Sequence, residues 1–269
     1  MNYLQALLLG ACIALSAISC AEPARASEFS LACGSGTLLA LTDGASGTPS
    51  ACTARRGEFL VESLYFQNAS RVGGTALAAY PMFRLRAGVL PRLELLLDTP
   101  SQVAESGLGG VGLYLMSNPG FGAKFSAVDS GRLAISIGAE VEPPVNQYSP
   151  HRELQPKYNL DVTWIYQVTP RFALTGLVGA STSRKVGLAH VFPGATLGAK
   201  IHADHLTDVS FDIGSRFIAR QSQSQAFGDV SVERLLSKRL SFAVGLGTSF
   251  NPVVDTKSHY LAAGFNYRP

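Results

Sequence analysis

Between Val230 and Phe250 apolar and small or polar residues alternate on both sides of a short break, Ser237-Lys238-Arg239. After the break Leu240, Phe242, Val244, Leu246 and Phe250 fall on one face, and Ser241, Ala243, Gly245, Gly247 and Ser249 on the other. A strand turns successive side chains to opposite faces whereas a helix repeats every 3.6 residues, so the segment reads as two strands joined by a tight turn. One face is lipophilic and the other small and polar, the arrangement of a strand between hydrocarbon and a wet or filled lumen. Composition narrows the choice. Hydrophobic residues make up 46% of the chain and charged residues 15%, with 27 glycines, yet no stretch beyond the N-terminal segment supplies the roughly 20 continuous apolar residues of a spanning helix. The expected fold is all-β: a transmembrane antiparallel up-and-down barrel of about twelve strands. A soluble sandwich or lipocalin-like barrel carries the same alternation and is the competing fold.

Residues 1–26 have the character of a signal peptide. Leu7 to Ile18 is a short apolar core, and Ala24-Arg25-Ala26 offers a small-residue cleavage site before Ser27, although no Lys or Arg precedes the core. Lipidation at Cys20 is the alternative processing. Cleavage after Ala26 leaves Cys33 and Cys52 as an even pair in an oxidising compartment, and they are expected to form a disulfide. Without a Cys-x-x-Cys motif the pair suggests neither a redox centre nor a zinc site. Residues 27–57, broken by Gly34, Gly36, Gly44, Gly47 and Pro49, form a leader expected on the periplasmic side or tucked into the barrel mouth. Residues 58–269 are the expected barrel.

Twelve alternating runs cover this region, and the breaks between them fall into two kinds. Gly88–Pro91, Asp129–Gly131, Thr169–Arg171, Ala203–Leu206 and Ser237–Arg239 are short and rich in turn-forming residues. Asn68–Leu77, Pro100–Gly120, Glu142–Lys157, Thr182–Gly194, Arg220–Ala226 and Asn251–Ser258 are longer. Short periplasmic turns, long extracellular loops, an even strand count and both ends on the short-turn side are the pattern of barrels in the outer membrane of Gram-negative bacteria. A soluble barrel has no reason to sort its connections in this way.

With a period of two, Leu133, Ile135, Ile137 and Val141 face outward, as do Leu160, Val162, Trp164 and Tyr166, then Phe211, Ile213 and Phe217, then Leu261, Phe265 and Tyr267. Tyr158, Tyr166, Phe172, Phe250, Tyr260 and Tyr267 lie near strand ends and are candidates for interfacial girdles. The opposite faces collect Glu62, Arg84, Arg86, Arg92, Glu94, Lys124, Glu140, Asp161, Lys200, Asp212, Arg216, Asp229 and Glu233. A charge facing lipid costs up to about 2–4 kcal/mol near the midplane, so these residues are expected to line the lumen. There they either border an aqueous path, with Arg84, Arg86, Arg92 and Glu94 as an electrostatic filter near the periplasmic opening, or pair across a closed interior.

Signals for catalysis are weak. The five histidines form no His-Glu-x-x-His pattern and no Gly-x-Ser-x-Gly elbow is present. Ser258 and His259 are adjacent in a strand and so point to opposite faces. His202 and His205 at a turn are candidates only for adventitious metal binding. No cofactor, metal centre or enzyme activity is expected. Nor is a nucleic-acid partner, because the formal charge is only +3 and the basic residues are scattered.

Ala79-Tyr80-Pro81-Met82-Phe83-Arg84-Leu85-Arg86, followed by Gly88-Val89-Leu90-Pro91-Arg92-Leu93-Glu94-Leu95, resembles outer-membrane transporters grouped with the phenol meta-degradation pathway protein. Arg56 to Glu62 resembles the start of the barrel in that family, and Gly122-Ala123-Lys124-Phe125 its Gly-x-Lys-aromatic strand. The resemblance covers Arg56 to the C-terminus; the Cys33–Cys52 leader and the final Pro269 depart from it. It implies a passive outer-membrane channel for small organic molecules. The leading expectation is therefore a monomeric barrel, surrounded by lipid, that passes small solutes. A closed structural or partner-binding barrel is the alternative, and a membrane-embedded hydrolase the third reading.

Overall fold

A computed structural model describes residue 33 and residues 37–70, 76–100, 102–106, 112–116, 118–144, 156–185, 188–218, 223–251 and 256–269. The expected signal peptide and Cys20 lie outside them. The strands are β1 (Phe59–Ser70), β2 (Ala76–Leu90), β3 (Leu93–Asp98), β4 (Gln102–Ser106), β5 (Gly112–Met116), β6 (Gly120–Asp129), β7 (Leu133–Glu142) and β8 (Lys157–Thr169). They continue as β9 (Phe172–Lys185), β10 (Leu188–Asp204), β11 (Thr207–Ile218), β12 (Gln223–Ser237), β13 (Leu240–Asn251) and β14 (Thr256–Tyr267). A single helical turn, α1 (Leu38–Leu41), precedes them.

Each strand pairs antiparallel with its neighbours, and β1 pairs with both β2 and β14, so the sheet closes on itself. Strands β3 and β4 both pair with β2, while β6 and β5 pair with β3 and β4. Each couple is thus one interrupted stave, and the fourteen strands make a twelve-stave barrel. Closure leaves no open edge, the condition for a sheet to cross a bilayer. Among the described residues no helix is long and apolar enough to cross a membrane.

The five short connections expected from the sequence are all present, and each follows a one-residue register shift: Gly88/Leu90, Ser126/Val128, Gln167/Thr169, His202/Asp204 and Leu235/Ser237. Such bulges add local twist, which helps a strand pair bend into a barrel at its rim. Gly131 takes a φ of 66° in one of these turns, a conformation a Cβ would strain. At the opposite end the strands run further than the alternation alone indicated. Pro100–Gly120, expected as one long loop, contains the ladder of β4 on β5, in which Val103 pairs with Leu115. Similarly, β9 and β10 continue to Lys185 and from Leu188, through much of the expected loop Thr182–Gly194.

The faces follow the period of two. On the outside, register aligns Phe211 with Val230, Val230 with Leu246, and Leu246 with Leu261. These apolar side chains stand in the open: Ile213 is 65% exposed, Leu160 58% and Leu246 55%. A water-soluble barrel would hide them, so the exposed belt identifies a membrane face. Phe242 and Phe265 meet on it as a tilted pair, with ring centroids 4.9 Å apart and planes at 45°. Tyr158 and Tyr267 are exposed on the outer face, in keeping with a girdle. Tyr260 is not: it is buried in the lumen, donating to Asp229 Oδ2 at 2.6 Å, because it shares its face with Ser258 and Ala262.

Candidate functional site: an occupied lumen

The lumen of the short-turn half is filled by the chain's own leader. Leu38, Ala40, Leu41, Cys52 and Ala54 pack with Leu60 of β1, against Leu235 of β12. Ala51 packs with Ala134, Ile165 and Ala173 of β7, β8 and β9, and Ala45 with Ala243 and Ala262 of β13 and β14. The Cys33–Cys52 disulfide expected from the sequence is formed. It closes a loop containing α1 and the leader residues Thr42, Asp43, Ser46 and Thr48; Ala54, which donates to Glu94, lies just beyond it. The small inner face of β13 explains the fit. A Cβ added at Gly245 would lie 2.6 Å from the Ala45 carbonyl oxygen, and one at Gly88 1.9 Å from that of Arg55, so these glycines admit the leader backbone.

Polar contacts attach the leader to the wall on two sides. On the first, cross-strand neighbours form a buried ionic cluster: register sets Glu62 opposite Arg84, Arg84 opposite Asp98, and Glu94 opposite Lys124. Arg86, with a wholly buried side chain, donates from Nη2 to Glu94 Oε1 (2.8 Å) and the Cys52 carbonyl (2.9 Å), and from Nη1 to Glu62 Oε1 (3.0 Å) and the Leu41 carbonyl. Arg84 forks onto Asp98 at 2.6 and 2.7 Å and reaches Glu140 at 3.2 Å. Two wall carboxylates also take leader amides: Asp43 N–H donates to Glu62 Oε1 (3.1 Å) and Ala54 N–H to Glu94 Oε2 (2.7 Å).

At the centre of this cluster sits Asp43, contributed by the leader. Its carboxylate meets Arg84 at 3.1 Å, Arg86 at 3.4 Å and Lys124 at 3.8 Å, and accepts from the Ser50 amide at 3.0 Å. Burial by itself would raise its pKa, but the charges of Lys124, Arg86 and Arg84 prevail and hold the carboxyl well below the usual range.

The second side uses hydroxyls. Thr42 Oγ1 donates to Glu233, 2.7 and 2.9 Å from its two oxygens; Ser46 Oγ donates to Asp212 Oδ2 at 2.6 Å, and Thr48 Oγ1 to Asp212 Oδ1 at 2.6 Å. Ser241 and Asn266 also donate to Glu233. Lys200 donates to the Leu39 carbonyl at 3.1 Å and pairs with Asp208 at 3.4 Å. His202 Nδ1 lies 2.5 Å from the same Asp208 carboxylate.

Of the residues expected in the lumen, Glu62, Arg86, Glu94, Lys124, Asp212 and Glu233 are buried inside the barrel, and Arg84, Glu140, Asp161, Lys200 and Asp229 are partly buried there. Arg92 is a correction. It lies exposed in the turn between β2 and β3, since the strand stops at Leu90 and resumes only at Leu93. The side chain of Arg216 lies outside the described residues. A filter built from Arg84, Arg86, Arg92 and Glu94 does not match this arrangement, because Arg86 and Glu94 are saturated by leader and wall groups. Asp98 belongs to the cluster and shares the parity of Glu94, a signal sufficient to find it. Asp43, Thr42, Ser46 and Thr48 carry no such signal, since nothing local shows that the leader enters the barrel.

Ser258 is buried, sharing a hydrogen bond with Ser249, while the adjacent His259 is exposed on the other face. Among the described residues no cluster of three His, Cys, Asp or Glu side chains is arranged to hold a metal ion.

No protein-family model matches the sequence, and no curated protein matches it. Solved structures share the fold. The COG4313 outer membrane channel from Pseudomonas putida F1 superposes with a TM-score of 0.61 at 14% identity, over 81% of this chain and 97% of that one. A KdgM porin gives 0.50 at 9% identity, over 77% and 98%. A NanC porin gives 0.50 at 5% identity, over 76% and 98%. At these identities the likeness establishes the architecture, which is that of an outer-membrane β-barrel.

Proposed function

We propose that this outer-membrane β-barrel is a channel for small solutes, held closed at rest by its own leader. One observation carries the reading. The lumen is occupied by residues 37–57, attached to the wall by ion pairs and hydrogen bonds, which water can replace, and by three small apolar clusters in place of one continuous apolar core. Eight staves enclose an interior that wall side chains alone can fill, whereas twelve enclose a wider one, so closing it takes a further segment of chain. The channels among the structures of the same fold favour the same reading. A single chain suffices, because the sheet closes without a partner, and the channel acts as a monomer in the lipid of the Gram-negative outer membrane. Residues 1–26 are removed as a signal peptide, the leader 27–57 supplies the plug through its described residues 37–57, and 58–269 form the conduit. The resemblance of Gly88 to Leu95 to the transporters grouped with the phenol meta-degradation pathway protein favours small organic molecules as the solutes.

The test is single-channel recording of the full-length protein in planar bilayers, wild type against the Gly245→Val/Asp43→Ala double variant. The valine intrudes on Ala45 and the alanine removes the hub of the cluster. Rare steps in the wild type and frequent ones in the variant are expected. If neither protein gives steps, while heat-modifiable gel migration shows both barrels folded, the closed structural reading replaces this one.

A further inference from the structure

The two sides of the plug are attached by different chemistry, and the difference bears on what the open lumen accepts. In the cluster around Asp43 every wall carboxylate has a guanidinium or ammonium close by. On β11 and β12 the arrangement is otherwise. Asp212, 2% exposed, and Glu233, 7% exposed, form no ion pair among the described residues, and the donors to Asp212 are the leader hydroxyls of Ser46 and Thr48, one to each oxygen. Glu233 also keeps the wall donors Ser241 and Asn266, and Lys200 borders the same cavity, whereas among the described residues Asp212 is reached only by the leader hydroxyls; a buried carboxylate so placed stays tolerable only while donors reach it. The leader supplies three, all of them neutral alcohols. Register adds further negative charge on the same face, with Asp208 opposite Glu233 and Asp229 opposite Asp212. A cavity of about 30 Å³ already separates leader and wall here, bordered by Thr42, Ser46, Thr48, Lys200, Ser210 and Glu233.

Building on the channel reading above, we infer that Asp212 and Glu233 form a solute-contact site, exposed when the leader leaves, that takes uncharged polyhydroxylated molecules and turns away anions. The hydroxyls of Thr42, Ser46 and Thr48 stand where those of the solute go. An anion of the same size meets two buried carboxylates, with two more on the same strands, against one lining cation, Lys200, which Asp208 already holds at 3.4 Å.

Sorbitol and gluconate test this, since both carry six carbons and differ chiefly in one carboxylate. Liposomes containing the full-length Gly245→Val/Asp43→Ala variant should swell several-fold faster in sorbitol than in gluconate. Adding Asp212→Asn and Glu233→Gln to that background should at least halve the ratio while leaving the single-channel step size within about twofold. Wild-type protein, through its spontaneous openings, should show the same order more slowly, which covers a variant that fails to assemble. Equal or faster entry of gluconate, or a ratio unmoved by the two amides, overturns the inference while leaving a working channel. Absence of both swelling and current steps removes the channel reading itself.

Discussion

Replacing Asp43 with alanine probes the attachment of the plug most directly. The substitution deletes three ion-pair contacts and the acceptor for the Ser50 amide. Breaking a buried pair by removing one partner costs about 3–5 kcal/mol when the other charge is stranded. None is stranded here: Arg84 keeps Asp98 and Glu140, Arg86 keeps Glu94 and Glu62, and Lys124 keeps Glu94 at 3.6 Å. The loss should therefore fall to about 2–3 kcal/mol, nearer the worth of charged hydrogen bonds in a partly compensated site. At 1.4 kcal/mol per factor of ten, that shifts the docked-to-released ratio by about 30- to 150-fold. Hydrogen exchange read by mass spectrometry reports it: the amides of Ser50 and Cys52, which bond to Asp43 and to the Ser50 hydroxyl, should lose protection by that factor. Strand amides of β11 to β13 should be unchanged. Full protection of the leader in the variant would refute the argument, showing that the hydroxyl contacts of Thr42, Ser46 and Thr48 hold the plug without the ionic cluster.

Three further outcomes follow from the same geometry. Because the Asp43 pKa is depressed in the docked state, its contribution is complete above the ordinary carboxylate value of about 3.9 and is lost as pH falls toward the docked value. The transition of the Asp43 carboxyl resonance in detergent micelles should therefore have its midpoint below the ordinary carboxylate value, whereas a midpoint at or above about 3.9 would contradict it. Replacing both Cys33 and Cys52 by serine opens the loop closed over a sequence separation of 19. In the chain-entropy picture this costs the leader about 3 kcal/mol of order, read as faster proteolysis of the leader with heat-modifiable migration of the barrel retained. Phe211→Arg places a charge on the outer belt, where Phe211 is 47% exposed; it should lower barrel stability in lipid vesicles by about 2–4 kcal/mol in reversible denaturant unfolding, and no change would move that face out of the hydrocarbon.

Much of the wall was legible because the bilayer imposes a single rule on every strand. Leu240, Phe242 and Leu246 turn out while Ser241, Ala243 and Gly245 turn in, and the alternation alone locates twelve staves and their five short turns. It fails where the local pattern is short or interrupted. Gln102–Ser106 and Gly112–Met116 lie beside Pro100 and Pro119 and run as strands because β2 offers its ladder to the first, which in turn pairs with the second, and no local window contains β2. Tyr260 misled for a different reason, since an aromatic near a strand end serves a girdle or a lumen equally well and only the face decides. The plug was the least visible element. Residues 37–57 have turn-rich composition, and the partners of Asp43 lie 41 and 43 positions away on β2, so their meeting depends on the completed barrel.

The plug and the conduit are one polypeptide, joined at Gly57, whose φ of 82° turns the chain from the lumen into β1. An occupant on so short a leash behaves as a ligand at an effective concentration on the order of millimolar, whatever the abundance of the protein. In the proposed channel a solute that takes its place competes with this ever-present rival, and wins only while its concentration relative to its own dissociation constant outweighs the leader's. In the channel proposed above, release would then be self-limiting, the aperture shutting again as external supply fades with no second component required to close it.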